Sequence, residues 1–244
     1  MNLVLWPAAL GIGIVLGLFG AGGGLITVPV LVYLAHIPLK EAIGISLWVV
    51  AVASLAAVIH QRAWRKLRLH LLFTFGITGI LGSLAGSALA PFMAERLQYA
   101  LFALLIFGVS WWMSRVSLSE QVRVFRFIPA AVTGFLIGLI TGMLGVGGGF
   151  LLVPALIYLG INEFPVAVAH SLVLITLNAF TGAIAYLHTF QLPLTMVITF
   201  SLLATLGATI GGRLLHRLPE IHLHRTFTII LLFTGAVMTW RAIA

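Results

Sequence analysis

Apolar runs dominate this chain so completely that its longest hydrophilic stretch is residues 60–70, HQRAWRKLRLH. Crossing a hydrocarbon core about 30 Å thick takes about 20 mostly apolar residues. Six runs have that length without interruption, at about 41–60, 69–91, 97–114, 164–187, 192–212 and 226–243. Two more, 3–36 and 127–160, exceed thirty residues and are each broken by a glycine cluster. In lipid the backbone must satisfy its own polar groups, so such runs fold as helices. We expect one all-α polytopic transmembrane domain over 1–244, with no extramembrane domain and with the first run retained, because no basic n-region precedes it.

Composition narrows the function classes. Apolar residues make up 61% of the chain, charged residues 7%, and mean hydropathy is +1.20. All five acids are glutamates (Glu41, Glu95, Glu120, Glu163, Glu220), each where an apolar run breaks, so the membrane interior holds no carboxylate. The formal charge of +8 comes from Lys/Arg blocks beside the runs, the pattern of cytoplasmic membrane loops and not of nucleic-acid binding. Without cysteine there is no disulfide, thiolate metal site or cysteine catalysis. The eight histidines lack metal-site spacing, and no nucleophile–base set stands in register. We therefore expect no enzyme activity, no cofactor and no metal. Trp64, Trp111, Trp112 and Trp240 lie near run ends, as interfacial aromatics do.

The chain also repeats itself. A shift of 125 carries Gly17-Leu-Phe-Gly20-Ala-Gly22-Gly23-Gly24 onto Gly142-Met-Leu-Gly145-Val-Gly147-Gly148-Gly149, Val28-Pro29 onto Val153-Pro154, and Ser46-Leu47 onto Ser171-Leu172. Gly82 and Gly86 fall on Gly207 and Gly211, a small-xxx-small spacing that suits close helix packing. One offset serves the whole half, which marks a duplication: repeat 1 covers about 1–115 and repeat 2 about 126–244. If each broken run crosses once, the halves are parallel, with eight spans, and the loops split Lys/Arg 8 against 5. If each goes in and returns as a hairpin of arms of about 13 residues, three crossings per half remain and the repeats are inverted. One side then holds Arg62, Arg65, Lys66, Arg68, Arg115, Arg123, Arg126, Arg213, Arg217 and Arg225, against Lys40, Arg96 and Arg241 on the other. Ten against three is the asymmetry that orients membrane proteins, so we expect inverted repeats, each a glycine-broken hairpin plus three transmembrane helices.

The glycine clusters carry the functional signal. They fail as nucleotide loops, because Leu25 and Phe150 occupy the last glycine position and no P-loop lysine follows. They do break helices. A helix restarting after each cluster presents free N–H groups and the positive end of its dipole, which attract anions. Paired broken helices are the sequence mark of a transporter site. Candidate contacts are Gly22, Gly23, Gly24, Gly147, Gly148 and Gly149, with Thr27 just after the first cluster. Pro29 and Pro154, one turn on, either expose the carbonyls of Leu25 and Phe150 to an ion or only kink the helix. Polar differences between the halves add Asn178 and His170, where repeat 1 has Ala53 and Ile45. Ser46 and Ser171 complete the candidate hydrogen-bonding set. His170 is the candidate for coupling to protons, and Arg213 at a run end reads as snorkelling to the interface.

The doubled G-x-x-G-x-G-G-G motif followed by proline resembles the TauE/SafE family of sulfite exporters and sulfonate permeases, over essentially the whole chain. The resemblance implies a carrier of small sulfur anions in the bacterial cytoplasmic (inner) membrane. Our expectation is a secondary transporter exporting sulfite or an organosulfonate, in contact with membrane lipid and possible as a homodimer. The alternatives are an importer coupled to protons or Na⁺, and an anion channel.

Overall fold

The computed structural model describes residues 5–19, 23–115, 127–161, 163–187, 192–215, 229 and 232. The long helices are α1 (Leu5–Phe19), α2 (Gly23–Tyr33), α3 (Leu39–His60), α4 (Leu69–Leu89), α5 (Glu95–Arg115), α6 (Phe127–Leu144), α7 (Gly149–Tyr158), α8 (Phe164–Leu187) and α9 (Leu194–Leu215), with 3₁₀ turns at Ala63–Lys66 and Ala90–Phe92. Five of the stretches they form are long and apolar enough to cross a membrane: Leu39–His60, Leu69–Phe92, Phe127–Leu144, Phe164–Leu187 and Leu194–Leu215. The expected final run, about 226–243, lies largely outside the described residues.

Proline opens several of these helices. Pro38 caps α3, Pro193 precedes α9, and Pro129 and Pro165 sit in the first turns of α6 and α8, where a missing N–H costs nothing. Pro29 and Pro154 instead lie inside α2 and α7, both buried. The broken runs do not divide into equal arms: α1 has 15 residues and α2 11, α6 has 18 and α7 10. The expected arms of about 13 are thus replaced by a long first arm and a short second, because each first helix continues up to its glycines.

Two helix pairs pack closest, α1 on α9 and α4 on α6. Glycine makes the approach possible. A Cβ at Gly13 would lie 2.0 Å from the Ala204 carbonyl oxygen, and one at Gly17 2.2 Å from that of Ala208. From the other helix, Gly207 and Gly211 would meet the carbonyl oxygens of Leu10 and Ile14 at 2.1 and 2.2 Å. Every one of these contacts recurs at the offset of 125: Gly138 on Gly79, Gly142 on Ser83, Gly82 on Phe135 and Gly86 on Leu139. Backbones at this distance gain dispersion contacts along a whole seam, the main attraction available where lipid is as apolar as the side chains.

Inside these pairs α3 and α8 cross, the most enclosed of the candidate spans. Ser54 in the second half of α3 meets Thr176 midway along α8, and Gly44 near the start of α3 faces Tyr186 near the end of α8, so the two run antiparallel. By the same test α4 runs parallel to both α6 and α8, and α1 parallel to α9. Leucine-rich stripes face outward every fourth residue, Leu69, Phe73, Ile77 and Leu81 on α4 and Leu194, Ile198, Leu202 and Leu206 on α9. They again correspond by 125 and suit lipid contact.

The glycine seams set a stability prediction. Gly13→Ala or Gly138→Ala should each lower stability by about 1–3 kcal/mol through overpacking against backbone. Gly11→Ala, with nothing within 4 Å of its Cβ, should leave stability unchanged or raise it. Thermal unfolding of the purified variants in detergent checks both.

Candidate functional site

At the second glycine cluster the chain turns back on itself. Gly145, Gly147 and Gly148 have φ of 70°, 69° and 65°, the left-handed region that glycine enters without steric cost. A Cβ at Gly148 would stand 2.2 Å from Thr141 Oγ1 and 2.9 Å from Ile137 Cγ2. Ile137 lies eleven residues back, about 16 Å along a continuous helix, so the contact requires reversal. Gly23 meets Leu16 in the same way, with its Cβ position 2.4 Å from Leu16 Cδ1. Gly20 and Gly22 lie outside the described residues.

The two breaks touch. A Cβ at Gly24 would lie 2.2 Å from the carbonyl oxygen of Val146, so the first turn of α2 rests on the backbone of the second cluster. The contact is enclosed by the α3–α8 crossing: Gly147 packs against Val50 and Ile175, which are midway along their helices and correspond by the repeat offset. Gly148 is the N-cap of α7 and no side chain caps that end. Its carbonyl accepts from the N–H groups of Leu151 and Leu152, which leaves the earlier N–H groups of the first turn without an intrahelical acceptor. Phe150, Gly149 and Gly24 are all buried. None of the buried polar residues described here is Lys, Arg, Asp or Glu, so no fixed charge offsets the positive helix ends.

The polar candidates separate into distinct places. Ser46 Oγ donates to the Gly145 carbonyl at 2.8 Å, tying α3 to the second break. Ser171 donates to Val168 in its own helix at 2.9 Å, and Thr27 to Gly23 in its own. His170 is fully buried, but both ring nitrogens meet backbone: Nδ1–H donates to the Val166 carbonyl at 2.8 Å and Nε2 accepts from the Arg68 N–H at 2.7 Å. Those bonds fasten the start of α8 to the α3–α4 connection. Asn178 lies on the α4 seam, its carboxamide against Gly79 and its carbonyl accepting from Ser83 Oγ at 2.7 Å. Arg213 Nε donates to His60 Nε2 at 3.2 Å. Among the described residues no group of three or more His, Asp or Glu could hold a metal ion.

Among the described residues, eight buried polar side chains were not among the candidates: Ser54, Thr74, Ser83, Ser87, Gln98, Thr141, Thr176 and Ser201. Ser83 and Ser87 stand where repeat 2 has Ala208 and Gly212, the same kind of difference between halves that marks Asn178. Thr141 has its counterpart in Leu16, and no local motif flags Gln98.

Comparison with known proteins points to a membrane transporter. Residues 5–238 match the family described as "Sulfite exporter TauE/SafE". The chain is similar to a probable membrane transporter protein of Xylella fastidiosa (strain Temecula1), 27% identical over 95% of this chain and 92% of the relative. YdhB of Bacillus subtilis (strain 168), also described as a probable membrane transporter protein, is 25% identical over 86% of this chain and 89% of its own. A probable membrane transporter protein of Methanocaldococcus jannaschii is 28% identical over 76% and 73%. No solved structure matches. With nearly the whole chain inside the family's match, this multi-helical membrane transporter belongs to the TauE/SafE family.

Proposed function

We propose that the chain is a secondary transporter exporting a small anion, sulfite or an organosulfonate, across the bacterial cytoplasmic membrane. The observation that carries the reading is the contact of the two glycine breaks, Gly24 against Val146, inside the α3–α8 crossing. Each broken-helix N-terminus is equivalent to about half a positive charge. Two converging ends therefore offer about one unit, matched to a monoanion in a site with no buried carboxylate to repel it. The N–H groups at Gly147, Gly148 and Gly149 and their counterparts at Gly22, Gly23 and Gly24 are the proposed contacts.

The proposed architecture is two inverted repeats, each a glycine-broken hairpin plus three transmembrane helices. The antiparallel run of α3 and α8 supports it, because repeats of four crossings each would place equivalent helices parallel. Reversal at Gly23 and Gly148 supports the hairpins. Such repeats can exchange roles about a fixed central site, the basis of alternating access.

Energetics favours export. With a negative interior, expelling one anionic charge gains about 2.3 kcal/mol per 100 mV, so no coupling ion is required. The test is flux of sulfite and small sulfonates in proteoliposomes under an imposed potential, with and without a pH or Na⁺ gradient. Potential alone should drive flux outward; flux that is strictly inward overturns export. Gly24→Leu and Gly148→Leu should abolish flux while membrane insertion and the gel-filtration profile are kept, and full activity in either would overturn the site. Ser46→Ala, which leaves the Gly145 carbonyl unpaired, should cost about 1–3 kcal/mol of stability, read by thermal unfolding.

A further inference from the structure

The connection between α3 and α4 is basic outside and fastened from within. Residues 60–70 include four Lys or Arg and no acidic residue. Buried His170 of α8 accepts from the Arg68 N–H at 2.7 Å, and Ala63, 1% exposed, seats the 3₁₀ turn Ala63–Lys66 against the protein. Gln61 donates to the Gly17 carbonyl at 3.2 Å and joins the same stretch to α1. On the outer side Arg62, Trp64, Arg65, Arg68 and Leu69 are all exposed.

The backbone is strained at this place. Arg62 has φ 50° and ψ 42°, in the left-handed region that it shares, among the described non-glycine residues, only with His36. Glycine would adopt that conformation freely, whereas an L side chain resists it. Strain kept at an exposed, charged residue points to a use for its side chain. The Arg65 N–H donates to the Arg62 carbonyl at 3.0 Å, so the two arginines stand one tight turn apart, with Trp64 between them in sequence. Leu69 opens the outward stripe of Leu69, Phe73, Ile77 and Leu81, so the basic turn lies where the lipid-facing surface of α4 begins. The equivalent stretch of the second half, residues 187–193 (LHTFQLP), has no Lys or Arg. The shared packing of the halves therefore does not require them.

We propose that this turn is a docking site for the headgroup of an anionic phospholipid, with Arg62, Arg65 and Arg68 meeting its phosphate and Trp64 entering the headgroup layer. Guanidinium groups match phosphate oxygens two at a time, and indole rings settle at that depth. The acyl chains continue along the exposed α4 stripe, which favours a lipid over free phosphate as the occupant. In the orientation proposed above the headgroup belongs to the cytoplasmic leaflet. The site depends neither on that orientation nor on the transported anion.

Thermal unfolding of the purified full chain in detergent micelles doped with phosphatidylcholine, titrated with phosphatidylglycerol, tests the site. Wild type should gain stability saturably, as with any ligand of the folded state, and inorganic phosphate at the same concentrations should leave it unchanged. Arg62→Gly, relieved of strain, should unfold no lower than wild type before phosphatidylglycerol is added. It should nonetheless need about fivefold more of that lipid for the same shift, as should Arg65→Gln. Arg96→Gln, exposed beyond the opposite end of α4, should respond as wild type. No shift with phosphatidylglycerol, an equal shift with inorganic phosphate, an undiminished response in both Arg62→Gly and Arg65→Gln, or an equal loss in Arg96→Gln would overturn the proposal. Potential-driven anion flux stands or fails separately.

Discussion

A helix interrupted inside a membrane must have its exposed N–H and C=O groups covered by protein or by water, since lipid offers no partner. The rest of this structure follows from having two such interruptions. The second break is covered by α3 and α8, with Ser46 taking the Gly145 carbonyl and Val50 and Ile175 closing over Gly147. The first break rests on the second through Gly24. Side chains at these points would hold the two breaks apart, which is why the clusters are glycine and not merely small. The outer seams serve the same end: α1 on α9 and α4 on α6 approach to backbone contact and hold the long arms against the crossing.

Duplication explains the frame, and departures from it mark what the frame is used for. Glycine contacts, outward stripes and breaks correspond at one offset, as expected where they serve packing alone. Polar residues correspond only in part: Ser46 matches Ser171, but several others have no polar counterpart. Ser83, Ser87 and Asn178 crowd one seam and have Ala208, Gly212 and Ala53 as counterparts, and Thr176 bonds Ser54 at 2.9 Å where the related pair is Ala51 and Ala179. Buried hydroxyls and amides are costly in a bundle of apolar helices, so their one-sided placement is not something the shared packing of the two halves requires.

Much of the helix order was legible in the sequence, because apolar length and glycine density act locally. The runs at 41–60, 69–91, 164–187 and 192–212 correspond to α3, α4, α8 and α9. Gly82/Gly86 and Gly207/Gly211 were legible as packing glycines for the same reason. What the linear pattern could not show is which helices meet. His170 looked like a proton site from its place in an apolar run, yet its ring bridges Val166 to Arg68, a residue 102 positions earlier. Asn178 looked like a neighbour of the glycines, but faces Gly79 and Ser83 across the α4 seam. Arm lengths were misjudged because each first helix continues up to its glycines, α6 running from Phe127 to Leu144.

The central claim is that backbone N–H groups of both glycine clusters hold the transported anion. Amide hydrogen exchange of the clusters, followed by mass spectrometry with and without each transported sulfur anion, reads those groups directly. The account predicts that the anion slows exchange at residues 22–25 and 147–150 together, with little change in the outward faces of α4 and α9. An anion that is transported yet leaves exchange at both clusters unaltered would contradict it.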